Sequence, residues 1–327
     1  MTQPLRNPQR LLTVLLAALL VLPFAPALSA QEQDTTVSAG DDRLSPEARK
    51  VIAGTGLGAT YLGIASWAYL AWYTRSKADA FALNNEGSFG ADTYAGGADK
   101  VGHAYSNYIL ARGTSQLIQY GGWIDDPLYA TLVANAATLG LFTGIEVKDG
   151  FHSDFGFSVR DMGANVLGNG AALLLETSPS LDRMFSLRFE YFPSDAYLRR
   201  IRERGSLNVG EDYSGQRFLV AYHLASVPGL ERTRGVRWLR FVDVVGGYYT
   251  RGYLPEPEGE DPPPRQRALL VGVSLNLQQV VDEVFFSNDP TGPGYGAAHF
   301  ATEVLAVPYT TLDLNAYSST TSQPDSP

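Results

Sequence analysis

The chain has 327 residues, a formal net charge of −9 at pH 7 and no cysteine. This length supplies a substantial hydrophobic core and allows two domains. The lack of cysteine excludes disulfides, a thiolate nucleophile, cysteine-ligated zinc and a lipid-modified cysteine, and the acidic balance argues against nucleic acid as a partner.

Residues 1–30 have the pattern of a secretory signal peptide. Arg6 and Arg10 precede an apolar core, and small residues at 27–30 form the cleavage region. An uncleaved anchor is the alternative, although the core is short for a membrane span. We therefore expect an exported protein of the bacterial periplasm, associated with the inner or outer membrane, whose polar residues 31–48 form a flexible leader.

A first helix is predicted to begin at Ser45, Pro46 and Glu47, which supply an N-cap, a first-turn proline and an acid. Residues 51–74 carry no charge and are long enough to cross a bilayer. Glycines in this stretch also allow close helix packing. A membrane span and a buried central helix therefore both remain open here.

Three further helices are predicted at 100–120, 128–147 and 159–176, since each is an apolar stretch preceded by helix-capping residues or followed by glycine. They complete a helical domain over 49–178. The helices are rich in Gly and Ala, which permits close packing.

Alternating apolar and polar residues from Phe185 onward indicate strands, so 179–317 is predicted to be a β-rich domain. Residues 304–314 would add an edge strand, and 318–327 are predicted to be a disordered tail. The fold class is α+β: a bundle of about four helices followed by a four- to five-stranded antiparallel region. So few strands cannot close a membrane barrel.

The second predicted helix begins with Asp99, Lys100 and His103. Asp99 and His103 lie about one helical turn apart, so the carboxylate could fix the imidazole tautomer and make the ring a stronger base. Asn107 extends the same stripe. The simpler interpretation is an N-cap followed by first-turn residues without a catalytic role.

The last predicted helix carries Asp161, Asn165 and Gly168 along one stripe. Ser158 and Asp161 resemble a capping box, which explains both residues without any function. Asn165 is not explained in this way, because a buried amide needs hydrogen-bond partners. Gly168 allows a neighbouring helix to approach closely.

Glu146 and Asp149 lie at the C-terminal end of the third predicted helix, where acids are unfavourable against the helix dipole. A shared cation would explain them, and together with Asp161 they could hold an oxygen-preferring divalent ion. The phenylalanines of 151–157 then predict an apolar lip, which either contacts lipid or plugs the end of the bundle.

These residues also carry a family resemblance. The motifs D-K-x-G-H-x-x-S, E-x-x-D-G-F and G-F-S-x-x-D-x-x-x-N-x-x-G, between Trp72 and Gly170, resemble YfiM-type periplasmic lipoproteins, a domain of unknown function. More distantly they resemble VanZ-like membrane proteins associated with glycopeptide-antibiotic tolerance. The resemblance implies a set of site positions without naming a reaction: Asp99, Lys100, His103, Glu146, Asp149, Ser158, Asp161, Asn165 and Gly168.

Two functions remain open from the sequence. In the first, the polar residues hold the helices in register and bind a lipid or cell-wall headgroup, with Lys100 serving an anionic group and the carboxylates a cationic one. In the second, the protein is an envelope lipid or glycan hydrolase or transferase that uses Asp99, His103 and Asp161 with a carboxylate-bound divalent cation. No nucleophile elbow, H-E-x-x-H or phosphate loop is present, which argues against catalysis. Zinc held by His103 and His152 is disfavoured, because the other histidines lie in the predicted strand region.

Overall fold

The computed structural model describes residues 44–74, 76–204, 208–255, 263–287 and 295–321. The predicted signal peptide lies outside the described residues. Eight α-helices lie within the described part of the chain: α1 (Pro46–Ala68), α2 (Ala98–Tyr120), α3 (Pro127–Gly150), α4 (Val159–Thr177), α5 (Pro179–Met184), α6 (Asp195–Arg204), α7 (Leu277–Phe285) and α8 (Tyr295–Val304). Eight strands accompany them: β1 (Leu83–Asn84), β2 (Phe157–Ser158), β3 (Phe185–Tyr191), β4 (Gln216–His223), β5 (Val242–Arg251), β6 (Arg265–Leu275), β7 (Leu305–Ala306) and β8 (Thr311–Thr321).

Side-chain caps confirm the predicted starts of α1, α3 and α4. The N-cap interpretation of Asp99 is wrong, because α2 begins at Ala98 after Gly97, no side chain caps it, and Asp99 lies within its first turn. Ser45 accepts a hydrogen bond from the Ala48 amide at the start of α1. Asp126 caps α3, and Ser158 caps α4 by accepting from the Asp161 amide. These bonds satisfy amides that have no partner within their own helix, so the chain begins each helix where the local chemistry directs it.

The central helix is α2. Its segment 110–118 is buried throughout, and α2 packs against α1, α3, α4 and the sheet. Arg112 lies in its middle with 1% of its side chain exposed, and it forms ion pairs with Glu176, Asp182 and Glu303. A buried charge is tolerated when it is paired in this way, so the most enclosed helix is one that carries charges.

The helices of lowest polarity lie at the outside. Residues Pro46–Tyr73 and Pro127–Gly150 are each long and apolar enough to cross a membrane, by length and composition only. Only 17% and 22% of their most apolar windows are buried. The interpretation of 51–74 as a buried central helix is therefore wrong, because α2 occupies that position.

The main sheet has six strands in the order β7-β3-β4-β5-β6-β8. All neighbours are antiparallel except β3 and β7, which are parallel, and β1 and β2 form a separate parallel pair. The α+β class is confirmed, but the prediction of four or five strands is at least one too few, and its antiparallel orientation fails at β7. The predicted edge strand at 304–314 is instead split at Pro308, and its two parts, β7 and β8, lie at opposite edges of the sheet.

Strand β8 continues to Thr321, so it extends into the tail that the sequence predicts to be disordered; residues 322–327 lie outside the described residues. It pairs with β6 along nearly its whole length, with one bulge opposite Val271 and Gly272. Backbone pairing to a long neighbour orders a segment whose side chains alone predict little structure.

The helices and the sheet share one hydrophobic core. Tyr105 of α2 packs on Phe189 and Phe218 of the sheet, with ring centroids 5.5 and 6.0 Å apart. Its hydroxyl donates to the carbonyl of Val304 at 2.6 Å. The sheet therefore supports α2 from one side while α3 and α4 pack on it from the other, and this fixes the direction of the α2 side chains described next.

Candidate functional site

The N-terminal ends of α2 and α4 and the C-terminal end of α3 meet at one end of the helix bundle. Gly168 permits this, because a Cβ atom at that position would lie 1.9 Å from the carbonyl oxygen of Ala104 on α2. The predicted close approach at Gly168 is therefore explained by packing. The polar cluster consists of the side chains that face each other there: Glu86, Asp99, Lys100, His103, Asn107, Glu146, Asp149, Asp161, Asn165 and Asn169.

Lys100 lies at the centre of this cluster and contacts three of its carboxylates. Its Nζ lies 2.7 Å from Asp99 Oδ2 and 2.9 Å from Asp161 Oδ1, and it also contacts Glu86. Only 4% of its side chain is exposed. Burial disfavours the ammonium charge, but the carboxylates of Asp99 and Glu86 outweigh it, and the pKa of Lys100 is raised.

Sequence reasoning missed Glu86. It lies just after β1, and the pairing of β1 with β2 carries this loop to the start of α4. Arg160 donates a hydrogen bond to the Glu86 carbonyl and so ties the loop to the same helix. Nothing in local spacing signals a contact across so many residues, whereas Asp99, Lys100 and Asp161 belong to recognisable helix starts.

Asparagine side chains join α2 to α4 beneath Lys100. Asn107 Nδ2 donates to the His103 carbonyl at 3.0 Å, and Asn169 Nδ2 donates to the Asn165 carbonyl at 3.1 Å. A carbonyl can only accept, so both amides are fixed in orientation. Asn169 then donates to Asn107 Oδ1, and Asn107 donates to Asn165 Oδ1, each at 2.6 Å.

This network sets the tautomer of His103. Its Nδ1 lies 3.1 Å from Asn165 Oδ1, an atom that already acts as an acceptor. The proton of the neutral ring therefore sits on Nδ1, and Nε2 keeps its lone pair. His103 is also the open member of the cluster, with 25% of its side chain exposed against 2% for Glu146.

The predicted pair of Asp99 and His103 does not form. Among the described residues, no hydrogen bond or ion pair joins them. Asp99 binds the ammonium of Lys100, while His103 Nδ1 faces Asn165 and lies 3.6 Å from Glu146 Oε1. The neighbouring cation competes for the carboxylate more strongly than a neutral imidazole can, so the spacing of four residues is not used.

The predicted cation ligands Glu146, Asp149 and Asp161 separate into two environments. Asp149 Oδ1 accepts a hydrogen bond of 2.6 Å from Tyr73, in the π-helical segment Tyr69–Tyr73 that continues α1. Glu146 remains with Asp161, and its Oε2 lies 3.4 Å from the Ser158 amide. The set that could hold a metal ion is His103, Glu146 and Asp161, whose ligand atoms lie within 4.8 Å of one another.

A second group with the same spacing, Glu86, Asp99 and Asp161, surrounds Lys100. The ammonium already supplies its positive charge. The His103 group meets this ammonium only through Asp161. Its nitrogen and oxygen donors fit a divalent transition metal such as Mn²⁺ better than Mg²⁺ or Ca²⁺, which prefer oxygen alone. A metal bound through Nδ1 would displace the proton that His103 donates to Asn165.

Burial raises the pKa of three carboxyl groups here. Burial and then the nearby charges of Asp161 and Asp149 raise the pKa of Glu146 to about 8. Burial raises the pKa of Asp99 to about 7, although Lys100 opposes the shift. Burial likewise raises the pKa of Asp149 to about 6, opposed by the Tyr73 hydrogen bond. The cluster therefore gains negative charge across the neutral pH range.

We expect stability to fall as pH rises through 8. An unfolded glutamate loses its proton near pH 4.5, whereas folded Glu146 keeps it until about 8. In that window the folded state binds a proton that the unfolded state has lost, so this stabilisation is complete below about 4.5 and is lost above about 8. Urea unfolding at pH 5.5 and pH 8.5 should differ by on the order of 2 kcal/mol, and less in Glu146→Gln. Equal pH dependence in both proteins would contradict the buried position of Glu146.

The predicted apolar lip is exposed beside the cluster. Phe151 and Phe155 are 46% and 37% exposed, and Phe81 joins Phe151 with ring centroids 5.2 Å apart and 47% exposure. These rings do not plug the bundle, because between 37% and 47% of the surface of each faces outward. A polar site bordered by exposed aromatic rings is typical of proteins that work at an apolar surface.

The comparisons with known proteins concern this same region. Residues 85–177 match a family described as "Predicted periplasmic lipoprotein (DUF2279)". No curated protein and no solved structure matches the chain. The DUF2279 match covers α2, α3 and α4, and so it contains every member of the polar cluster, including Glu86.

The DUF2279 match supports a similarity to an uncharacterised periplasmic lipoprotein-like family. This agrees with the periplasmic lipoprotein character that the sequence motifs imply. Together with the signal pattern, it identifies the chain as an exported, periplasmic protein. The chain departs from a lipoprotein in having no cysteine. The sheet after residue 177 lies outside the matched part, although its core is shared with α2.

Proposed function

We propose that this protein is a membrane-associated protein of the cell envelope whose polar cluster locks α2, α3 and α4 together and binds the primary ammonium headgroup of an envelope lipid. The observation that carries the proposal is the convergence of His103, Glu146 and Asp161 within 4.8 Å at an open edge of the cluster. All three offer acceptor atoms, and an ammonium offers three donors.

The charge of the cluster supports a cationic ligand. Five carboxyl groups lie in the cluster, and Lys100 is the one lysine or arginine that forms ion pairs with them among the described residues. Glu86, Asp99 and Asp161 share that ammonium, whereas Glu146 has an amide and an imidazole as neighbours. A second cation beside Glu146 would offset the cost of burying its negative charge.

The surface of the helices supports contact with a bilayer. Leu62 of α1 and Leu70 of the π-helical segment after it are 70% and 66% exposed. Tyr129 of α3 is 63% exposed, and Leu167 of α4 is 73% exposed. Monomeric soluble proteins rarely expose many large apolar side chains on adjacent helices. Lipid contact along these helices would bring a headgroup to the end of the bundle where His103 opens.

Vesicle flotation tests this proposal. We expect wild-type protein to bind vesicles of phosphatidylethanolamine and phosphatidylcholine more strongly than phosphatidylcholine alone, because a quaternary ammonium cannot donate hydrogen bonds. The preference should rise with pH as Glu146 loses its proton near pH 8. At pH 8.5, Glu146→Gln should reduce the ratio of binding to the two kinds of vesicle by about tenfold, equivalent to about 1.4 kcal/mol.

The control is Asp125→Asn, which removes an exposed carboxylate at the opposite end of the bundle. It should bind both kinds of vesicle like the wild type. Thermal unfolding would establish that each variant is folded. Equal binding of both lipids by the wild type, or an unchanged preference in Glu146→Gln, would refute headgroup binding at this site.

The second candidate is an envelope lipid or glycan hydrolase or transferase. The orientation of His103 favours it, since Nδ1–H is held by Asn165 and Nε2 retains a lone pair that can accept a proton. In this proposal Glu146 and Asp161 hold a divalent cation, and Asp99 is not the partner of the base. We also propose that the chain is related to YfiM-type and VanZ-like proteins, since the residues of their shared motifs lie together in the polar cluster.

Mass spectrometry of an envelope lipid extract incubated with the protein and Mn²⁺ tests the enzymatic candidate. We expect a product with wild type that is absent with His103→Gln, while Asn107→Leu, which loosens the support of Asn165, reduces its rate. If folded wild-type protein leaves the spectra unchanged, the enzymatic candidate is refuted and headgroup binding alone is favoured.

A further inference from the structure

We propose that the cavity between the start of α6 and the curved sheet binds a phosphate ester, independently of the polar cluster. The cavity has a volume of about 680 Å³. It lies at the end of the sheet where β3 and β5 finish and β4 begins, whereas α7 follows β6 at the other end. Its cationic wall consists of Arg199, Arg217 and Arg251.

Arg217 is held in place by carboxylates. It pairs with Glu190 on the neighbouring strand at 3.2 Å and with Asp313 on β8. Strands β5 and β6 lie between β4 and β8 in the sheet, so the contact with Asp313 requires strong curvature. This curvature brings the interior side chains of several strands around the cavity.

The guanidinium of Arg251 is held by an aromatic ring and backbone carbonyls, with no carboxylate partner among the described residues. Its guanidinium lies 4.6 Å from the centre of the Tyr249 ring and donates to the carbonyls of Thr250 and Gln216 at 2.8 and 3.3 Å. No acid lies within ion-pair distance of it among the described residues. Arg217 stacks on the same ring at 5.2 Å, and burial together with that neighbouring charge lowers the pKa of Arg251.

Two guanidinium groups held on one aromatic ring, with one of them unpaired, form an arrangement that an anion would stabilise. Planar guanidinium groups bind the oxygens of a phosphate in pairs. Ser194, the residue before α6, also lines the cavity, and the positive end of the helix dipole adds to the attraction. Asp195 lines the cavity as well, but it is exposed.

The size of the cavity indicates an ester rather than a free phosphate ion. A volume of about 680 Å³ lies in the range of small-molecule sites. Phe192 and Tyr309 form an aromatic pair in its wall, with ring centroids 5.0 Å apart. Such a wall can contact the glycerol or sugar part of a ligand whose phosphate lies on Arg251.

Titration calorimetry with glycerol 3-phosphate tests the site, and flotation with vesicles of phosphatidylglycerol in phosphatidylcholine tests the lipid source of the same group. We expect Arg251→Gln to weaken binding at least tenfold. Arg199 is exposed, so Arg199→Gln leaves the core intact; it should weaken binding at least threefold. The matched control is Arg202→Gln on the same helix, which is exposed and does not line the cavity.

Binding of both probes would indicate a soluble phosphate ester, and binding of vesicles alone would indicate a lipid headgroup; either outcome supports the site. The proposal is overturned if wild type binds neither probe, or if Arg202→Gln weakens binding as much as Arg251→Gln and Arg199→Gln do. Because Glu146→Gln does not touch this cavity, its effect on ammonium headgroups tests the proposed function separately.

Discussion

Replacing Lys100 with Met should destabilise the protein by about 3–5 kcal/mol at pH 8, because the substitution leaves buried carboxylates without their cation. The ammonium of Lys100 pairs with Glu86, Asp99 and Asp161 and is 4% exposed. Methionine has a similar length and keeps the packing of the aliphatic stem, so the loss reports mainly on charge. Urea unfolding followed by circular dichroism gives the free energy of unfolding.

The effect should shrink on acidification. Burial already raises the pKa of Asp99 to about 7, and removal of Lys100 would raise it further, so protons can replace the missing cation at pH 5.5. Lys50→Met is the control, since Lys50 is exposed on α1, and such surface changes stay within about 0.5 kcal/mol. A loss below about 1 kcal/mol in Lys100→Met at pH 8 would show that the cluster is hydrated rather than buried.

Gly168→Ala is the second substitution with a large expected effect. A Cβ atom at this position would overlap the backbone carbonyl of Ala104, at 1.9 Å, and backbone cannot move aside as a side chain can. The helices α2 and α4 would have to separate, which breaks the hydrogen bond between Asn107 and Asn165. We expect destabilisation of about 2–4 kcal/mol, measured by urea unfolding, since overpacking and a lost buried network add.

Gly170→Ala on the same helix is the matched control. Nothing lies within 4 Å of the Cβ that this substitution adds. Alanine should there stabilise α4 by about 0.5–1 kcal/mol through its better helix propensity. If both substitutions changed stability equally, the close approach of α2 and α4 at Gly168 would be wrong.

Local signals in the sequence predicted the helix ends well. Ser45, Asp126 and Ser158 each bond an amide one turn ahead, and a cap depends only on neighbouring residues. The stripe of Asp161, Asn165 and Gly168 likewise follows from helical spacing. All of its members face α2, so spacing along one helix was sufficient to identify a polar interface.

Partners across the bundle were not predictable in the same way. The spacing of Asp99 and His103 suggested a pair, but Lys100 takes the carboxylate and Asn165 takes the imidazole. Glu86 reaches the cluster because two residues of β1 pair with β2, a signal too short to recognise in a sequence. Contacts of this kind depend on how elements pack, which no local pattern contains.

The position of the central helix could not be predicted from the sequence for a related reason. Residues 51–74 are the least polar stretch of the predicted bundle, and low polarity usually indicates burial. Helix α2 is buried instead, because Arg112 finds three carboxylates on α4, α5 and α8. Apolar composition does not distinguish a core helix from one that faces lipid, so both interpretations had to stay open until the packing was known.

The most direct test is a double-mutant cycle between Lys100→Met on α2 and Asp161→Asn on α4, because the account depends on polar side chains of separate helices meeting at one point. The two groups lie 2.9 Å apart. Unfolding free energies at pH 8 should show a coupling energy above about 1 kcal/mol, whereas Lys50→Met should combine additively with Asp161→Asn. Additivity within about 0.5 kcal/mol for Lys100 and Asp161 would contradict the account, since groups that do not touch lose stability independently.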